Sequence, residues 1–183
     1  MLFLRIDLQI YRNDLHLINV GAPAHGRKAV IYSTCTSEYN AADIGLAAAQ
    51  VLAKNGVETQ FVYPGCCGMP QLEHGDIGRV ANAAKKIAAE MAEWIDKGYD
   101  VVSPVASCSL MLKFEWPLIE PDDENVKKLS SATFDVSEYL VDISVKEGIA
   151  PGLKPIDGGV TLHIACHARA QNMGRKGLEM LKL

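Results

Sequence analysis

Residues 58–71 read ETQFVYPGCCGMPQ. The first half is rich in β-branched and aromatic residues and predicts a strand, which the proline and glycine after it would end. Two adjacent cysteines, Cys66 and Cys67, then lie between two glycines, Gly65 and Gly68. A strand followed by a pair of thiols between glycines is the feature on which the predicted fold and the predicted site depend.

The same alternation of strand, loop and helix recurs along the chain. Strands are predicted at KAVIYS (28–33), ETQFVYP (58–64), YDVVSPVAS (99–107) and GGVTLHIA (158–165). Helices are predicted between them: one capped by Asn40, a long one capped by Asp76, and one opened by Asp135 with Glu138 three residues on. Strands separated by helices predict an α/β fold, with Rossmann-like βα units and a mostly parallel sheet covered by helices on both faces.

Composition excludes several classes of function. The net charge is −4, the pI is near 5.7, and no cluster of Lys and Arg forms a face, so neither nucleic acid nor an anionic membrane is the expected partner. The odd count of five cysteines, without a leader segment, favours a reducing compartment, and we predict a cytoplasmic protein. No apolar run approaches the roughly 18 residues of a membrane span, so membrane association would be peripheral or through partners.

Every cysteine follows a predicted strand. The cysteines are Cys35, Cys66, Cys67, Cys108 and Cys166. The carboxyl ends of parallel strands meet at one edge of a sheet, where ligands bind in open α/β folds, so we expect the sulfurs to converge at that edge.

Converging thiols are soft ligands that suit either an iron–sulfur cluster or tetrahedral zinc. Adjacent cysteines favour the cluster, because neighbouring sulfurs can reach different irons while Gly65 and Gly68 let the backbone approach closely. Two alternatives stay open: a zinc-stabilised structural or binding module, and a thiol oxidoreductase that uses Cys66 and Cys67.

The pattern C…YPGCCGMPQLEHGD…ASCSLMLK…LHIACHARAQNMG resembles the CCG, or cysteine-rich, family of iron–sulfur oxidoreductase subunits. That family includes the cysteine-rich subunit of heterodisulfide reductase and the iron–sulfur subunits of glycolate and lactate oxidation systems. Within it, the chain most resembles the iron–sulfur subunits of anaerobic glycerol-3-phosphate dehydrogenases. The resemblance begins at about Lys28. It divides the chain into an N-terminal strand and loop (1–27), a first cysteine-rich unit (28–150) and the start of a truncated second unit (151–183).

The resemblance implies a bound iron–sulfur cluster, of the 4Fe–4S type, held by Cys35, Cys66, Cys67 and Cys108. It also implies electron transfer between a flavin-containing dehydrogenase subunit and a quinone or disulfide acceptor, at the inner face of the membrane through partners. The substrate chemistry would belong to a partner, so no catalytic residue is predicted.

The chain departs from the family pattern in two places. Met111 stands where the family has the last cysteine of Cys-x-x-Cys, and a neutral thioether is a much weaker ligand than a thiolate. Cys166 matches the opening of a second motif without its Cys-Cys-Gly, so it is either a further metal ligand or a small apolar residue. For the neighbouring His167 we predict a hydrogen-bonded structural role.

Overall fold

The computed structural model describes residues 18–183. Its centre is a sheet of four parallel strands in the order β2-β1-β3-β4. The strands are β1 (Lys28–Tyr32), β2 (Glu58–Val62), β3 (Asp100–Ser103) and β4 (Thr133–Asp135). The predicted α/β class with a parallel sheet is confirmed.

Ten α-helices are found in the described part of the chain. They are α1 (Cys35–Tyr39), α2 (Ala42–Lys54), α3 (Met69–Glu73), α4 (Ile77–Asp96), α5 (Ala106–Leu110), α6 (Trp116–Ile119), α7 (Glu124–Ala132), α8 (Val136–Lys146), α9 (Cys166–Ala170) and α10 (Lys176–Met180). A π-helical turn, Met111–Glu115, joins α5 to α6.

The sheet separates two apolar cores because successive side chains of a strand point to opposite faces. On β1, Val30 and Tyr32 pack with the long helix α4, whereas Ala29 and Ile31 pack with α2 and α8. All four side chains are fully buried. This burial on both faces explains why the strand is almost entirely apolar, as parallel strands generally are.

Two of the predicted helix caps are present and one is wrong. The Asp76 side chain accepts a hydrogen bond from the Arg79 N–H at the start of α4. Asp135 and Glu138 form the reciprocal capping box that opens α8. Asn40, by contrast, ends α1, and the residue before α2 is Ala41, which makes no side-chain cap.

The predicted strand at residues 158–165 is wrong. The chain between α8 and α9 contains no helix or strand, and Val160 is 55% exposed. A strand needs a neighbour to satisfy its N–H and C=O groups, and in the described residues the sheet ends at β4. The domain boundary at residue 150 stays a prediction. The alternating segment 2–11 lies outside the described residues.

Between residues 18 and 183, no helix is both long and apolar enough to cross a membrane.

Candidate metal centre

The strand order places three loops at one edge of the sheet. The chain goes from β1 outward to β2 and then returns to β3 on the other side of β1. Crevices for ligands in open α/β sheets form at such a reversal, outside the carboxyl ends of the strands. Cys35 follows β1, Cys66 and Cys67 follow β2, and Cys108 follows β3. The predicted position of these four cysteines at the carboxyl edge is confirmed.

Cys35 is held at the start of α1. Thr34, in an extended conformation, accepts a hydrogen bond from the Ser37 N–H at 3.1 Å, which fixes the first turn of the helix. The Thr36 N–H donates to the Cys35 sulfur. This helix is not evident in the sequence, because five residues carry too little periodicity to reveal one.

The CCG loop, residues 65–68 with the sequence Gly-Cys-Cys-Gly, requires both glycines. Gly65 and Gly68 have φ values of 151° and 83°, in the region that favours glycine. A Cβ on Gly65 would lie 3.3 Å from the Ile87 side chain of α4, and one on Gly68 would lie 3.5 Å from Val80. The loop therefore packs closely on α4.

Two buried side chains fix the carbonyl groups of this loop. Tyr32 of β1 donates its hydroxyl to the Gly65 carbonyl at 2.6 Å, and the Trp116 indole N–H donates to the Cys67 carbonyl at 3.0 Å. Neither role is evident in the sequence. Trp116 lies 49 positions after Cys67, and no local pattern links the two.

The thiols of the four cysteines form a row. Cys66 lies within hydrogen-bonding reach of Cys35 and Cys67, and Cys67 lies within reach of Cys108. The structure therefore brings together the four cysteines whose common ligation was predicted, whereas ligation itself stays a prediction.

The pKa values of Cys35, Cys66 and Cys67 are raised. For Cys66 the larger cause is its hydrogen bond to Cys67, followed by burial. For Cys67 the larger cause is its hydrogen bond to Cys108, and for Cys35 it is burial, followed by Cys66. Burial, with the neighbouring thiols, also raises the pKa of Tyr32.

The donor set fits an iron–sulfur cluster. Four thiols converge on one edge, and besides Thr36 at Cys35, the Gly68 and Met69 N–H groups donate to the sulfurs of Cys66 and Cys67. Backbone N–H groups aimed at sulfur stabilise the thiolate form that binds metal. These amides lower the pKa of the thiols and so oppose the effects of burial and of the neighbouring thiols, which raise it.

The row is not a site for a single ion as it stands. Within residues 18–183, no group of three His, Cys, Asp or Glu side chains is arranged to hold one metal ion. A mononuclear zinc site needs four ligands around one point, whereas a cluster of several irons takes each thiolate on a different iron. Four neighbouring thiols that could each bind a different iron therefore agree better with a cluster.

Met111 is enclosed by protein. It is fully buried, and its terminal methyl lies 3.9 Å from the position of a Cβ on Gly68. It begins the π-helical turn that follows Cys108, an irregularity that is frequent at functional sites.

Cys166 stands apart from the row. It is exposed, at the start of the short helix α9, which contacts α5. His167 hydrogen-bonds through Nδ1 with the Ser107 hydroxyl at 2.7 Å, as its predicted structural role requires. Gln171 is buried and donates to the Ser109 hydroxyl at 2.9 Å. Cys166 thus lies on a helix attached to that of Cys108, and its role as a ligand stays a prediction.

Comparison with known families agrees with this geometry. Residues 29–113 match the cysteine-rich domain family CCG. The match begins on β1 and ends within the π-helical turn, so it contains the three strands and the four cysteines of the row.

The curated proteins to which this chain is similar include lactate utilization protein A from three bacteria. The protein from Geobacillus thermodenitrificans is 31% identical over 145 residues, which cover 76% of this chain and 57% of the relative. Those from Bacillus pumilus and Bacillus subtilis are 31% and 29% identical, and each alignment covers 76% of this chain and 58% of the relative. The chain thus spans less than three fifths of the length of these relatives. No solved structure matches it.

The raised pKa values predict how the metal-free chain responds to alkali. A group whose pKa is higher in the folded than in the unfolded state stabilises the fold while it is protonated. Its contribution is complete below its unfolded pKa, which is near 9 for cysteine and near 10 for tyrosine. That stability is lost as the pH rises further. We expect the free energy of unfolding, measured with urea under reducing conditions, to be constant from pH 7 to 8.5. Above pH 10 it should fall by more than about 1.4 kcal/mol per pH unit, the slope of a single group, because several groups contribute.

Tyr32→Phe provides the comparison, because it removes one buried ionisable group and keeps the ring. The fall above pH 10 should be shallower in this variant. Equal slopes, or a free energy of unfolding that does not change up to pH 10.5, would contradict the assignment of these groups as buried and neutral.

Proposed function

We propose that this chain is an iron–sulfur electron-transfer subunit of an oxidoreductase. The observation that carries the proposal is the row of four thiols at the carboxyl edge of the sheet, together with the backbone N–H groups aimed at three of their sulfurs. Cys35, Cys66, Cys67 and Cys108 would hold a 4Fe–4S cluster. When bound, the cluster supplies one-electron transfer.

The residues around the row have separate tasks in this proposal. The CCG loop, bent by Gly65 and Gly68, presents two adjacent sulfurs. Tyr32 and Trp116 fix its carbonyl groups, so that the loop keeps its shape while electrons move. Burial of Cys67 and Cys108 keeps water from that side of the site.

For the partners we propose a flavin-containing dehydrogenase subunit as electron donor and a quinone or disulfide as acceptor. The names of the relatives support lactate as the substrate of the assembled system, and the dehydrogenase subunit would perform that chemistry. We propose that the protein works in the cytoplasm, at the inner face of the membrane through these partners.

The thiol oxidoreductase alternative is disfavoured by the pKa values. A catalytic cysteine is activated by a lowered pKa, because the thiolate is the nucleophile. The pKa values of Cys66 and Cys67 are raised instead, and both are held in hydrogen bonds with other thiols.

Anaerobic purification tests the proposal. We expect brown protein with a broad absorption band in the visible range and about four irons and four sulfides per chain, as the 4Fe–4S assignment requires. Colourless protein with bound zinc would support the structural-module alternative instead. Protein without iron after reconstitution with ferrous iron and sulfide would overturn the proposed function.

Met111→Leu tests whether the thioether takes part in binding. The two side chains have similar volumes, so we expect a loss of stability below about 1.5 kcal/mol and an unchanged iron and sulfide content. Iron analysis and the visible spectrum provide the measurement. A loss of iron in a variant that remains folded would show that the Met111 sulfur is a ligand.

A further inference from the structure

The two residues on either side of Cys108 are both held from helix α9. The Ser107 hydroxyl hydrogen-bonds with His167 Nδ1 at 2.7 Å, and the Ser109 hydroxyl accepts a hydrogen bond from Gln171 Nε2 at 2.9 Å. The partners of these pairs are 60 and 62 positions apart in the sequence. His167 and Gln171 therefore lie well beyond residue 113, where the match to the cysteine-rich domain family ends.

Gln171 makes its contacts from a buried position. The residue is 2% exposed, and its Nε2 also donates to the carbonyl groups of Ala106 at 3.2 Å and His167 at 3.3 Å. Carbonyl oxygens only accept hydrogen bonds, so these contacts fix the orientation of the amide with its nitrogen toward α5. A buried donor is costly to leave without a partner, and the contact between the two helices is therefore specific.

Ser109 extends this contact to the sheet. It is fully buried, and its hydroxyl donates to Asp135 Oδ2 at 3.1 Å. Asp135 ends β4 and opens helix α8, so its position is fixed by the sheet. Cys108 thus lies between two serines whose side chains are both anchored outside α5.

Helix α5 depends on such anchors. It has five residues, and Val105, which precedes it, makes no side-chain cap. A helix this short does not persist without tertiary contacts. The cap of Thr34 and the hydrogen bonds of Tyr32 and Trp116 fix the segments that carry the other three thiols of the row. For Cys108 the corresponding hydrogen bonds come from α9.

We propose that His167 and Gln171 are positioning residues, which hold Cys108 in the row for ligation. Helix α9 thereby completes the site of the first cysteine-rich unit, although its sequence resembles the start of the second. This inference rests on the proposed function, because it assigns Cys108 to the cluster. The position of Cys108 can be measured without iron, so the two proposals can fail separately.

Alkylation of the metal-free full chain tests the position of Cys108. This residue is 4% exposed, so iodoacetamide reaches it only when its surroundings open. His167→Ala and Gln171→Met should each raise its reaction rate at least about fivefold, as expected for the loss of one hydrogen bond. Peptide mass spectrometry measures the rates. The rate of Cys67, which is 3% exposed, should change by less than about twofold. An equal rise at both cysteines would indicate general loosening of the fold and overturn the proposal.

Two matched variants locate the effect. His167→Asn keeps a hydrogen-bonding atom close to the position of Nδ1, and its Cys108 rate should stay within about twofold of the parent rate. Arg169→Ala truncates an exposed side chain of the same helix and should leave the rate unchanged. If Arg169→Ala raised the rate as much as His167→Ala, any truncation of α9 would free Cys108, and the assignment of the two positioning residues would be wrong.

Electron paramagnetic resonance of the reconstituted and reduced chain provides a second readout. A displaced sulfur changes the electronic structure of the iron that it binds. The spectra of His167→Ala and Gln171→Met should therefore differ from the parent spectrum, which His167→Asn should keep. Identical spectra and iron contents in all variants would show that Cys108 is held without α9 and overturn the inference. A parent chain that takes up no iron would overturn the proposed function, and the alkylation rates would then decide this inference.

Discussion

Replacement of Cys67 with serine is expected to remove nearly all iron and sulfide from anaerobically purified protein. Cys67 is the most buried of the four thiols, at 3% exposure, and it contacts a thiol on each side. A serine hydroxyl is a hard ligand that rarely ionises, so it does not replace a thiolate on iron. Iron and sulfide analysis and the visible spectrum after reconstitution measure the result. The circular dichroism of the metal-free variant should match that of the parent protein.

Cys166→Ser makes the same chemical change outside the row. Retained iron in this variant would define a site of four thiolates, and lost iron would make Cys166 a fifth ligand, which is one of the two roles that the sequence left open. Full iron content in Cys67→Ser itself, in protein that remains folded, would contradict common ligation by the row.

Replacement of Trp116 with alanine is expected to lower the free energy of unfolding by about 3–5 kcal/mol. The side chain is fully buried in the core on the α4 side of the sheet, and its removal leaves a large cavity. The Cys67 carbonyl also loses its indole donor. Urea denaturation of the metal-free chain measures the change.

Two further variants separate these causes. Trp116→Phe keeps most of the volume and should cost about 1–3 kcal/mol, mainly for the lost hydrogen bond. Phe114→Ala, two residues away and 41% exposed, should cost less than about 1 kcal/mol. A similar loss in Phe114→Ala and Trp116→Ala would show that truncation anywhere in this segment is harmful, and that the Trp116 contacts are not special.

The elements that the sequence predicted correctly are those with a strong local signal. Helix α4 has a continuous apolar stripe and an aspartate cap, and β1 is a short apolar run between loops. The position of the cysteines could also be predicted, because each loop directly follows a strand whose direction the parallel sheet fixes. The glycines of the CCG loop revealed the close approach of the backbone.

The errors come from contacts that no local pattern contains. The apolar segment 158–165 has the composition of a strand, but a strand also requires a neighbour, and only the fold shows whether one exists. The true edge strand β4 has three residues, too few for a period. Trp116 and Tyr32 act on loops far along the chain, and their roles could be found only in three dimensions.

The order of the strands has a consequence for biosynthesis. The row of thiols does not exist until β3 has added beside β1, on the side opposite β2. At translation rates of about 5–20 residues per second, Cys108 leaves the ribosome several seconds after Cys35. During that interval the earlier thiols lie on an incomplete sheet, open to oxidants. If the four thiols hold a cluster as proposed, we expect insertion of iron and sulfide to follow folding of the domain.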